Sequence, residues 1–207
     1  MALEASRLAC ERGERTLFSN LDFTLEAGAL LHVAGENGSG KTSLLRIVCG
    51  LSTPAAGELR WHGQPIRKVR EDYWRQLIYI GHANALKDDL TALENLHFAS
   101  TLAGMEADNS GASTALDRFG VAHCAHLPAR VLSQGQRRRV ALARLALAPH
   151  GGLWVLDEPF SALDVNAVEH LRQLIAAQIA GGGMVILTTH QDIEIVAAVH
   201  LTVRLGI

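Results

Sequence analysis

The chain has 207 residues, of which 48% are hydrophobic and 19% charged, and its formal net charge is −2. That length suits one large domain or a core with a subdomain, and the apolar share is enough for a core without disulfide or metal staples. The balance leaves no overall cationic surplus to hold a nucleic-acid backbone. The three cysteines, Cys10, Cys49 and Cys124, form no C-x-x-C, so they signal neither a zinc site nor haem attachment and fit a reducing compartment.

In chain order, the N-terminal segment carries acids and arginines too early for a secretory apolar core, and no run of about 18 apolar residues follows anywhere. The chain is therefore expected to be soluble or to sit on a membrane through a partner. The first thirty residues read as short strands and turns, with Leu21, Phe23 and Leu25 alternating with Asp22, Thr24 and Glu26. Ala29 to Ala34 is a short, Gly-bounded apolar run suited to a buried strand. A Gly-rich loop leads into a helix from Lys41 to Cys49, ended by Gly50. Pro54 and Gly57 break the chain again, and Leu77 to Ile80 is a second apolar strand. From Thr91 to about Leu147 the pattern is helical, with interruptions near Gly104, Gly111, Gly120 and Pro128. Strands follow at Leu153–Leu156, Met184–Leu187 and Leu201–Leu205, with helices at Ala167–Ala180 and Asp192–Ala198. Alternating strands and helices predict a parallel sheet with crossover helices, and the helical middle reads as an insertion.

Three segments carry chemistry. Gly35-Glu36-Asn37-Gly38-Ser39-Gly40-Lys41-Thr42 matches G-x-x-x-x-G-K-[ST] in full, between an apolar strand and a helix. Its glycines let backbone N–H groups curl around a phosphate chain, Lys41 can bridge the outer phosphates, and Thr42 offers a hydroxyl to Mg²⁺. The following helix points its positive end at the anion, so Ser43 joins the candidate nucleotide contacts. Asp157 and Glu158 end a buried strand. At that position Asp157 suits Mg²⁺, through water, and Glu158 can polarise an attacking water as general base. Taken alone, the pair would read as a surface turn capping a helix. Ser133 and Gln136 fit a capping box that opens a strong helix, Arg137 to Leu147. That helix start is either a plain cap or a second anion site. Arg137-Arg138-Arg139 reads as a solvated face whose arginines pair with nearby acids.

The phosphate loop, Leu132-Ser133-Gln134-Gly135-Gln136, Leu153 to Pro159, Ser161 to Asp164 and Thr188 to Gln191 come in the order and spacing of the ABC-transporter ATPase family. The chain resembles that family over nearly its whole length. The resemblance implies an α/β fold, a RecA-like P-loop NTPase core with an antiparallel β subdomain and an inserted α-helical subdomain. The core would be 1–82 and 148–207, and the helical insert about 83–147. It implies ATP and Mg²⁺ as cofactors, ATP hydrolysis, and a homodimer that sandwiches two nucleotides. In that dimer Ser133, Gly135 and Gln136 would meet the partner's ATP. Asp164 would lie at the seam, and His190 would contact the γ-phosphate and the attacking water.

Two positions depart from the family pattern. His82 stands where the family has a glutamine after a strand, a residue that senses Mg²⁺ and the membrane partner; imidazole differs in reach and titrates near neutral pH. No aromatic lies near Arg12 to stack on adenine, and Arg12 is either a cation–π substitute or a surface arginine. The segments 10–25, 41–46, 80–82, 90–98 and 187–191 closely resemble the ATP-binding subunits of bacterial cytochrome c biogenesis, often described as haem exporters. This resemblance implies integral membrane permease subunits that handle haem, and a place on the cytoplasmic face of the bacterial inner membrane. His123, Cys124 and His126 read as a helix–loop junction without a ligand role. The alternatives are the ATPase of another ABC exporter, or a soluble ABC ATPase acting on nucleic acid or the ribosome. The latter class usually fuses two ATPase domains or carries long coiled coils, and neither is present.

Overall fold

In a computed structural model, residues 2–104, 109–148, 151–191 and 193–206 are described. The strands are β1 (Ala2–Arg12), β2 (Arg15–Glu26), β3 (Ala29–Gly35), β4 (Ala56–Trp61), β5 (Gln64–Pro65), β6 (Leu77–Ile80), β7 (Leu153–Asp157), β8 (Met184–Thr188) and β9 (Val199–Leu205). The α-helices are α1 (Lys41–Val48), α2 (Arg70–Arg75), α3 (Ala92–Leu102), α4 (Asn109–Arg118), α5 (Gln134–Ala143) and α6 (Val165–Ala180). The chain forms two compact units. One comprises Met1–Tyr79, His150–Glu158 and Ala176–Ile207, and the other Ile80–Pro149 and Pro159–Ile175.

The first unit holds both sheets. An antiparallel sheet has the order β2-β1-β4-β5, and a second sheet has the order β6-β7-β8-β3-β9, in which β3, β7, β8 and β9 pair in parallel. Every residue of β7 and β8 is buried, as expected of strands covered on both faces. Leu31, Val33, Val155 and Ile186 share one core with Leu44, Leu45 and Val48 of α1 and with Leu3, Leu8 and Leu25 of the antiparallel sheet. Each such side chain contributes about 1.5–3 kcal/mol by leaving water. The last turn of α1 closes on Gly50 in the left-handed region, with the amide of Leu51 reaching back to Arg46. Its remaining carbonyls are met from α2: Tyr73 Oη donates to Val48 O at 2.7 Å and Trp74 Nε1 to Cys49 O at 2.9 Å.

In the second unit α3, α4 and α5 pack on one another through Ala92, Leu96, Ala112, Leu116, Val140 and Leu142, all fully buried. Thr91 caps α3 and Ser133 caps α5, each in a complete capping box.

Three expectations need correction. The N-terminal strands are long, 11 and 12 residues, joined by a tight turn at Gly13. The helix opened by Ser133 starts at Gln134 and tightens into a 3₁₀ turn over Arg144–Leu147. No helix forms over 193–198, because Ile195 alone turns inward while Val196 stays 74% exposed, so there is no apolar stripe to pack; Asp192 lies outside the described residues.

Candidate active site

Parallel pairing sets the carboxyl ends of β3, β7 and β8 side by side. The last register pair of β7 and β8 is Asp157 with Thr188, and β3 runs beside β8 before turning into the loop at Gly35. Open α/β sheets bind ligands at such strand ends.

The loop from Gly35 to Gly40 needs glycine at its turns. Gly38 and Gly40 have φ of 80° and 104°, and a Cβ at Gly35 would lie 2.6 Å from Ser39 Oγ. Gly40 precedes α1, which has no side-chain cap, so its first N–H groups are left for an anion. Ser39 Oγ is buried without a hydrogen-bond partner. Lys41 lies 9% exposed and donates from Nζ to Gly35 O at 2.7 Å and Glu36 O at 3.1 Å, which folds its ammonium over the loop. A donor-lined loop with an orphaned hydroxyl and an inward ammonium fits a polyphosphate. Ser43, one turn on, hydrogen-bonds the Cys10 thiol; burial pushes that thiol's pKa up more than the bond lowers it.

Asp157 is 2% exposed, and both of its oxygens are held. Thr42 Oγ1 donates to Oδ2 and Thr188 Oγ1 to Oδ1, each at 2.8 Å. A carboxylate only accepts, so each threonine spends its proton on Asp157 and keeps its lone pairs. The exposed Thr42 hydroxyl oxygen and the Asp157 carboxylate are hard oxygen donors, which fits a small divalent cation that retains water.

Glu158 leaves the strand in the left-handed region, φ 48°, a conformation that costs a non-glycine residue roughly 1–2 kcal/mol. Its amide donates to Thr188 Oγ1 at 2.9 Å. His190 Nε2 lies 3.4 Å from Glu158 Oε1, 3.0 Å from Asn37 Oδ1 and 3.4 Å from Lys41 Nζ. One nitrogen cannot donate to Asn37 and accept from Lys41 together, and the shorter contact favours donation to Asn37. The first unit thus brings Asn37, Lys41, Thr42, Asp157, Glu158 and His190 into one cluster. A positive group, a hydroxyl, two carboxylates and an imidazole can bind a triphosphate and take a proton from water.

The remaining candidates belong to the second unit. Ser133 Oγ accepts the Gln136 amide at 3.2 Å while Gln136 Oε1 accepts the Ser133 amide at 2.8 Å. Gly135 is where a Cβ would come 3.2 Å from Ala162 O. Asp164 opens α6 by accepting the Ala167 amide at 2.9 Å and pairs with Arg139 at 3.2 Å. His82 is exposed. The arginine run is not a solvated face throughout: Arg137 pairs with Asp88 and Arg139 with Asp164, but Arg138 is 4% exposed and donates to Gly81 O at 2.8 Å and Asn84 Oδ1 at 3.3 Å. Cys124 is buried, and His123 Nε2 lies 3.4 Å from Gln136 Nε2. Arg12, in the first unit, is exposed at the β1–β2 turn. Sequence reasoning gave Thr188 no role of its own. Its importance depends on the β7–β8 register, which no local pattern reveals.

A phosphate loop before α1 and an acidic pair at the carboxyl end of β7 in the same parallel sheet define a P-loop nucleotide hydrolase. The chain belongs to the ABC transporter family, whose model matches residues 18–161, and its activity is the binding and hydrolysis of ATP. Within that family it is 57% identical over 190 residues to the cytochrome c biogenesis ATP-binding export protein CcmA of Aromatoleum aromaticum, covering 92% of this chain and 89% of that protein. It is 50% identical over 204 residues to the protein of the same name from Dechloromonas aromatica, covering 99% of this chain and 100% of the relative. The solved ATP binding subunit of an ABC transporter is similar with a TM-score of 0.82, at 26% identity over 92% of this chain and 80% of that one. Among the described residues no helix is long and apolar enough to cross a membrane.

Proposed function

We propose that this chain is the ATPase of a membrane export complex serving c-type cytochrome biogenesis. It would be held on the cytoplasmic face of the bacterial inner membrane by integral permease subunits that handle haem. The reading is supported by relatives carrying that name at 50–57% identity over most of the chain. The observation that carries the chemistry is the clustering of Lys41, Asp157, Glu158 and His190 around the loop from Gly35 to Thr42.

In this reading the loop amides and Lys41 hold the outer phosphates of ATP, with Lys41 exchanging the carbonyls of Gly35 and Glu36 for phosphate oxygens. Thr42 and, through water, Asp157 hold Mg²⁺, which when bound neutralises charge on the phosphates. Glu158 holds the attacking water and takes its proton, and His190 orients the water and the γ-phosphate. Ser133, Gly135 and Gln136 present the start of α5 to the nucleotide of a second copy, so two chains enclose two nucleotides. Asp164 lies at the seam between the copies, and His82 takes the place of a glutamine that reports to the membrane subunits.

The test is affinity purification of the tagged chain from solubilised membranes, with ATPase assay of what is recovered. Recovery with integral haem-handling proteins is expected. Recovery with ribosomes or nucleic acid instead would refute the assignment.

A further inference from the structure

Thr188 is fully buried at the last position of β8, so exposure to solvent does not account for a hydroxyl there. A threonine in that place on an apolar strand, Met-Val-Ile-Leu-Thr, costs free energy unless its oxygen is used. Both of its hydrogen-bonding functions go to the acidic pair. Its proton goes to Asp157 Oδ1 at 2.8 Å, and its lone pair accepts the Glu158 amide at 2.9 Å.

We propose that Thr188 is the positioning residue that sets both carboxylates at once. One bond fixes the rotation of the Asp157 carboxylate so that Oδ2 meets Thr42. The other anchors the peptide that enters the left-handed turn at Glu158, and with it the direction in which the Glu158 side chain leaves the strand. A single oxygen therefore couples the residue facing the cation to the residue facing the water. The neighbouring Thr189 does a different job, since its Oγ1 accepts the Gln191 amide at 3.0 Å. The inference rests on the proposed roles of Asp157 and Glu158.

The experiment is steady-state ATP turnover by Thr188→Val, which keeps the shape and removes the hydroxyl, beside Thr188→Ser, which keeps the hydroxyl. Binding of a fluorescent ATP analogue reports that the loop is intact. Losing an outer-shell partner of this kind costs roughly 10–100-fold. Thr188→Val is expected to lose that factor in kcat, with KM for ATP and analogue affinity within about threefold, and Thr188→Ser to stay within about threefold of the parent in kcat. If Thr188→Val does not fold, Thr188→Cys, near in volume but a weak donor and acceptor, is read in the same way. Unchanged kcat in Thr188→Val overturns the proposal. Equal losses in the Val and Ser variants also overturn it, since packing of the methyl would then be the cause. Glu158→Gln is run in parallel: normal turnover by that variant removes the general base, whereas a dead Glu158→Gln beside an active Thr188→Val removes only the positioning role.

Discussion

Gly35→Ala tests the loop geometry by sterics alone. A Cβ at Gly35 would meet Ser39 Oγ at 2.6 Å and Leu205 O at 2.7 Å, with φ at 148°. Both distances fall well inside the roughly 3.5 Å at which non-bonded atoms meet favourably. The first clash is soft, because the Ser39 hydroxyl has no hydrogen-bond partner to hold it. The second is hard, because Leu205 is the register partner of Gly35 in the β3–β9 ladder and its carbonyl cannot retreat without opening the sheet. Overpacking of this kind costs about 1–3 kcal/mol. For a chain of this size that lowers Tm by about 2–12 °C. The displaced backbone is the mouth of the phosphate loop, so nucleotide should lose its stabilising effect as well. The parent gains about 2.7 kcal/mol at an ATP concentration 100 times Kd. Scanning fluorimetry with and without ATP measures both effects. A variant with the parent Tm and the parent ATP-induced rise would refute this account of the loop.

Further outcomes follow from single groups. Lys41→Ala removes a charged donor worth about 1.5–3 kcal/mol, so ATP affinity should fall roughly ten- to hundred-fold by calorimetry; an unchanged Kd would remove Lys41 from the phosphate site. Burial pushes the Cys49 thiol up to about 12 from 9.0, and it pushes Tyr79 up to about 12 and Tyr73 above 10.0. These groups are raised in the fold, so their contribution is complete below the unfolded values and is lost as pH climbs from about 9 towards 12. The urea midpoint should hold steady to about pH 8.5 and fall beyond it, with Cys49 alkylated only after unfolding. A midpoint flat through that upper range would contradict the burial of these groups.

Much of this was legible in local pattern. Lys41 opens α1 because a Gly-rich loop and an apolar face mark it, Leu77–Ile80 is a strand because a short apolar run bounded by breakers fits little else, and Ser133 with Gln136 forms a capping box because the spacing is local. What was not legible depends on distant pairing. Arg138 reads as one of three surface arginines until α5 is packed, when it turns inward to the Gly81 carbonyl. The short α2 carries charged residues throughout, and only Tyr73 and Trp74, reaching the end of α1, show why it is there. The 193–198 segment has the composition of a helix but keeps Val196 in solvent, so composition misleads. Thr188 is invisible for the same reason as Arg138: its partners come from another strand.

The most direct measurement follows ATP turnover and mass in solution for Glu158→Gln with ATP and Mg²⁺. Nucleotide bound at the parent affinity, hydrolysis lowered at least about 100-fold and a dimer held together by uncleaved ATP are predicted. Hydrolysis at the parent rate, or a monomer saturated with ATP, would contradict the account.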